Sequence, residues 1–109
     1  MAEVWRTRDR IGREVVLTSL RHDHILAEHD DLAPQMDDVR LATEQPDFIT
    51  RDARYPHREN HYRRTLWSQL LVKVVVNYRP VPPQGTWEGE VITAYHARRP
   101  KSKEAQLWP

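Results

Sequence analysis

The chain has 109 residues, a formal net charge of +1, 39% hydrophobic residues, 30% charged residues and no cysteine. These values fit one small α+β domain spanning residues 1–109 and exclude both a disulfide framework and thiolate chemistry. The first ten residues are charged and lack the apolar stretch of a signal peptide. The longest apolar run, residues 70–76, is interrupted by Lys73 and is far too short to span a membrane, so a cytoplasmic location without membrane partners is expected.

The charges are segregated along the chain. Residues 28–47 hold seven acids and one arginine, residues 51–64 hold five arginines and two histidines against two acids, and residues 98–103 hold four more bases. Basic patches of this kind suit phosphate, and equally suit a solvated polar surface.

In chain order, residues 1–12 read as a tail, and Gly12 precedes a short strand at residues 13–17. Thr18 offers an N-cap for a helix over residues 19 to about 29. Pro34 suits the first turn of a second helix, which contains Met36, Val39 and Leu41 and ends before Pro46. Phe48, Ile49 and Thr50 form a short strand, residues 51–56 a loop, and residues 58–66 another strand in which Tyr62 and Leu66 pack. The strongest strand signal is residues 69–78, whose valines favour the extended state and whose near-continuous apolar run marks a central strand covered on both faces. Pro80, Pro82, Pro83 and Gly85 force a loop. Residues 89–96 return antiparallel, with Val91, Thr93 and Tyr95 on one face and Ile92 and Ala94 on the other. Residues 99–109 read as a basic tail, tied down at most by Leu107 and Trp108.

Three groups carry polar chemistry. On the first helix, Arg21, His24 and Glu28 share one face, and His22, Ile25, Leu26 and His29 share the other. No two of these histidines stand four residues apart as a helix-borne zinc pair requires, and positions i and i+2 point about 200° apart, so no metal and no cofactor is expected. Lys73 lies among valines, where an ammonium needs a partner or an escape to water, and shares its face with Leu71, Val75 and Asn77. Thr93 and Tyr95 place hydroxyls side by side on the returning strand. There is no P-loop, no dinucleotide turn and no nucleophile elbow.

The ordered set of the His24/His29 helix, Pro46-Asp47-Phe48-Ile49, Leu71-Val72-Lys73-Val74-Val75-Val76 and Val91-Ile92-Thr93-Ala94-Tyr95 resembles the phage-type branch of the BECR nucleases. That superfamily is named for barnase, EndoU, the colicin nucleases and RelE. The resemblance covers roughly residues 15–108. It implies two N-terminal helices packed on a four-stranded antiparallel sheet. It also implies a metal-independent RNA endonuclease, of the kind found as toxins or phage-derived effectors, in which the 2′-hydroxyl attacks the adjacent phosphate. His24 or His29 would match the family's helix histidine, Lys73 its basic strand position and Thr93 its strand hydroxyl. Arg21, Arg58, His61, Tyr62, Arg63 and Tyr95 are expected to contact substrate, arginines on phosphate and aromatics on bases. The partners implied are RNA and an antitoxin or immunity protein. The alternative is a noncatalytic RNA-binding or protein-interaction module on the same fold.

Overall fold

The structure is a computed structural model and describes residues 2–66 and 68–109. The chain opens with two strands, β1 (Glu3–Arg8) and β2 (Glu14–Thr18), paired antiparallel. Gly12 supplies the left-handed conformation between them, at φ 92°. Helix α1 (Ser19–Glu28) follows at once, and the Thr18 hydroxyl oxygen caps it by accepting from the Arg21 amide at 3.3 Å. A 3-10 helix (Asp30–Gln35) contains Pro34 and runs into α2 (Met36–Glu44). Five strands complete the chain: β3 (Phe48–Arg51), β4 (Arg58–Arg64), β5 (Leu71–Val81), β6 (Thr86–Ala97) and β7 (Ala105–Trp108).

Among the described residues the strands form one seven-stranded sheet in the order β1-β2-β6-β5-β4-β3-β7. β2 lies parallel to β6, and every other neighbouring pair is antiparallel. The expected four-stranded antiparallel sheet with two leading helices is therefore incorrect. The sheet is larger and mixed, two strands precede the helices, and both segments read as tails contain edge strands. Edge strands are hard to see in sequence because one side faces water. β1 is mostly exposed and mixes the charged Glu3, Arg6 and Arg8 with Val4, Trp5 and Thr7, and β7 has only four residues.

The apolar core lies between the helices and one sheet face. Val15 and Leu17 of β2, Ile25 of α1, Leu32, Val39 and Ala42 of the helical segment, and Val72, Val74, Val76, Val91 and Ala94 of the central hairpin are all fully buried. β5 is the central strand that its valines suggested, with six consecutive buried residues from Leu71 to Val76. Leu66, expected to pack, is fully exposed.

Two details of the β5–β6 hairpin differ from the alternation expected. The turn occupies residues 82–85, with Gly85 at φ 89°, and Pro80 stays in the strand opposite Trp87. Pro80 is tolerated because β4 pairs with β5 only as far as Asn77, so one side of β5 is free of ladder bonds there. In β6 the register shifts: Val75 faces Thr93 but Val76 faces Val91, leaving Ile92 as the extra residue of a bulge. Val91 consequently joins Ala94 on the helix side, and Thr93 and Tyr95 turn to the opposite face, which we call the open face.

Gly89 in β6 faces Tyr78, and a Cβ added there would stand 2.6 Å from Val76 Cγ1 and 2.9 Å from Tyr78 Cε1. Gly89→Ala should lower unfolding free energy by about 1–3 kcal/mol in a urea titration, the range for overfilling a packed site. Gly12→Ala, where no atom lies within 4 Å, should lose stability only through its backbone conformation.

Candidate functional site

Residues that face each other across neighbouring strands share a sheet face. The pairs Phe48–Tyr62, Tyr62–Lys73 and Lys73–Tyr95 therefore set one row across the open face. The pairs Thr50–Asn60, Asn60–Val75 and Val75–Thr93 set the row beside it. Lys73, Thr93, Tyr62 and Tyr95, singled out from sequence, stand together here.

Lys73 is 3% exposed, although it carries a charge in the central strand. Its Nζ lies 3.0 Å from Glu104 Oε2 and between two aromatic rings, 5.5 Å from the centroid of Tyr62 and 5.3 Å from that of Tyr95. Glu104 comes from the turn before β7, which folds back against β3 and brings the carboxylate over the open face. Besides Lys73, it accepts from the Thr50 hydroxyl, from Tyr62 Oη at 2.6 Å, from Asn60 Nδ2 at 3.2 Å and from the Lys101 amide at 3.1 Å. Burial alone would raise the Glu104 pKa, but the bonds from Thr50, Tyr62 and Lys73 outweigh it and hold the carboxyl below its ordinary value. The Tyr62 hydroxyl moves the other way: burial, and then donation to Glu104, raise its pKa well above that of a free phenol.

The histidines separate. His29 closes α1, its amide bonding to the Ile25 carbonyl at 2.7 Å, and its ring lies 5.2 Å from the Tyr95 ring. It thus borders the open face. His24 is exposed, with Nδ1 3.4 Å from Glu28, and joins no other predicted site residue. Among the described residues no three His, Asp or Glu side chains gather as a metal-binding group.

The expected substrate contacts also divide. Arg21 Nε lies 3.8 Å from Glu90, and Arg58 rests over the Tyr55 ring at 4.1 Å, in the register row of Asn77 on the open face. Arg63 is on the opposite face, in the row of Val72, and donates to the Gln45 carbonyl at 2.6 Å. His61 is likewise on the opposite face, fully buried beside Val74. There its Nε2 is 3.2 Å from Tyr78 Oη, which donates to Asp9 at 2.7 Å. Arg13 completes this second polar centre, holding Asp9 at 2.6 Å and Glu59 through two bonds of 2.8 and 3.0 Å while covering the Tyr78 ring. Burial drives the His61 pKa down to about 4, which favours the neutral ring at pH 7, and the side chain is fully enclosed on this face.

Glu104, Thr50 and Asn60 are the site residues that sequence reasoning missed. Glu104 follows a run of bases and reads there as one more surface charge; a buried lysine in need of a counterion was the only pointer to it. No protein-family model matches the chain, and no curated protein or solved structure is significantly similar to it. The class is thus set by fold and site alone: a small mixed-sheet protein with a lysine–glutamate centre on the face its helices leave open.

Two outcomes follow from these centres. Lys73→Ala strands a buried carboxylate and should cost about 3–5 kcal/mol in urea unfolding. Lys73→Met combined with Glu104→Gln should recover most of that loss. Between pH 6.5 and 4 the unfolded chain protonates His61 and the folded chain does not, so stability falls as pH falls through this window. From pH 7 to 4.5 the wild type should lose about 2–3 kcal/mol more than His61→Gln, measured by urea unfolding at both values. Glu104, with its lowered pKa, adds a further loss only below about pH 4.5.

Proposed function

We propose that the protein is a metal-independent RNA endonuclease whose reactive centre is the open face. The observation that carries this reading is the placement of Lys73, Glu104 and Thr93 on one sheet face, with the His29 ring 5.2 Å from the Tyr95 ring of that face. Cleavage by neighbouring-group attack needs these parts. A base takes the proton of the 2′-hydroxyl as its oxygen bonds to phosphorus, an acid protonates the 5′-oxygen as the P–O5′ bond breaks, and a cation stabilises the crowded phosphorane. The products are a 2′,3′-cyclic phosphate and a free 5′-hydroxyl.

In this reading Glu104, ionised at neutral pH, is the base and His29 the acid, while Lys73 and Thr93 hold the phosphate oxygens. In the resting arrangement Glu104 occupies the anion position on Lys73. A substrate phosphate exchanges one anion for another on the same ammonium and frees the carboxylate to take a proton. A ribonuclease of this kind active in its own cell calls for an antitoxin or immunity protein as partner.

A second reading, a noncatalytic RNA-binding module, is favoured by one observation. The Lys73–Glu104 pair is buried on both sides, with side chains 4% and 2% exposed, and its carboxylate is saturated with donors.

The test uses purified protein, labelled single-stranded RNA and EDTA throughout. Cleavage leaving a 2′,3′-cyclic end should occur in EDTA, and Thr93→Val and His29→Gln, which spare the buried ion pair, should each slow it by about 100- to 1000-fold. A folded wild type that cleaves no RNA, with any inhibitor removed, transfers the protein to the binding-module reading. Dependence on a divalent metal removes the metal-independent mechanism.

A further inference from the structure

Beyond Tyr62, Lys73 and Tyr95, the next row on the open face is Arg64, Leu71 and Ala97. There the strands end in a cleft of ≈ 330 Å³ whose lining includes Phe48, Arg64, Ser68, Arg98 and Arg99. Arg64 ends β4, while Arg98 and Arg99 follow β6 directly, so the pairing of both strands with β5 brings three guanidiniums from distant parts of the chain to one rim.

Among the described residues, five of the other eleven arginines are tied to carboxylates. Arg6, Arg8, Arg13, Arg21 and Arg40 each have a carboxylate within ion-pair distance. Arg64, Arg98 and Arg99 are exposed and have none among the described residues. Asp47 engages the Arg64 backbone amide at 2.6 Å. The cleft also has an aromatic wall. Phe48 is half-buried and stacks on Tyr62 at 4.7 Å between centroids, 13° from parallel.

We propose that this cleft binds the phosphodiester backbone of a single-stranded nucleic acid, with Arg64, Arg98 and Arg99 on consecutive phosphates and Phe48 against a base. Guanidiniums without internal partners keep their donors for phosphate oxygens, and an aromatic wall accepts any base by its face. Leu71 is two residues from Lys73 on the same face, a separation of roughly 7 Å along the strand, so one nucleic-acid strand can touch both places. The inference rests on the reading of the open face as the face that meets RNA and specifies where the strand lies. It relocates recognition from Arg63 and His61, which are on the other face, to residues at the ends of β4 and β6.

The experiment measures binding apart from cleavage. Fluorescence anisotropy is read with a labelled single-stranded RNA carrying 2′-O-methyl groups and with DNA of the same sequence, neither of which can undergo 2′-hydroxyl attack, over a range of salt. The combined variant Arg64→Ala, Arg98→Ala, Arg99→Ala should weaken binding by about tenfold or more at low salt and reduce the slope of log affinity against log salt by about 2, near 0.7 per lost phosphate contact. Arg79→Ala, at the far end of β5, should change neither. Because the three arginines are exposed, the variant should keep the wild-type melting temperature. Equal loss on both probes assigns the site to the backbone alone, and greater loss on the RNA analogue adds sugar recognition; both support the cleft. A variant that binds both probes like wild type, or a wild type that binds neither, overturns it. Binding lost in the variant with no cleavage of ordinary RNA by wild type leaves the cleft standing and removes only the nuclease reading.

Discussion

The arrangement of the open face depends on the contact between Lys73 and Glu104. A central β-strand buried on both faces has no apolar reason to carry a lysine, and an isolated ammonium there would be too costly to retain. Glu104 meets that cost from 31 residues away in sequence. To reach Lys73, the chain after β6 must turn back across the face and place β7 against β3, which sets the outer edge of the sheet. Tyr62, Thr50 and Asn60 then orient toward the same carboxylate, so one acidic side chain ties together β3, β4, β5 and the turn before β7.

The sheet has two polar centres on opposite faces, and they are built differently. Asp9, Arg13, Glu59, Tyr78 and His61 join the β1–β2 turn to β4 and β5, with Arg13 bridging two carboxylates and Tyr78 linking an acid to a neutral imidazole. That centre holds a deeply buried histidine whose Nε2 meets Tyr78 Oη while its Nδ1 has no partner among the described residues. The open face differs in having the Thr93 hydroxyl in the row beside its ion pair and the Tyr95 ring, 5.2 Å from that of His29, opposite Lys73. Beyond them lies a cleft whose arginines have no carboxylate partner among the described residues.

Charge distribution has the same local logic. The net charge of +1 conceals the separation, because the acids of residues 28–47 lie mostly in the helical layer, whereas arginines gather at the strand ends. Whole-chain charge thus says little about affinity for a polyanion; the local field at the rim near Arg64, Arg98 and Arg99 governs it.

The sequence by itself determined the elements whose signal is local. The valine run of β5, the Thr18 cap of α1 and the return of β6 after a proline-rich turn are each written in a few neighbouring residues, through β-branched stiffness, a capping hydroxyl or a fixed φ, whereas Pro34, expected in the first turn of the second helix, lies in the 3-10 helix before it. It also marked Lys73 as a residue in need of a reason. Only the tertiary structure decided what that reason is. Glu104 sits in a basic run and has no local feature that separates it from a solvated charge, and β1 and β7 are edges whose polar alternation resembles loop. The bulge at Ile92 reverses the facing of Val91 relative to Thr93, a change that follows from cross-strand pairing and leaves no trace in simple alternation. His61 and Arg63 lie in the same basic stretch as Arg64, yet one residue of strand pairing puts them on the other side of the sheet. Local chemistry sets which residues form a strand, but which face each one presents depends on register, and register is settled only when the whole sheet assembles around its buried pairs.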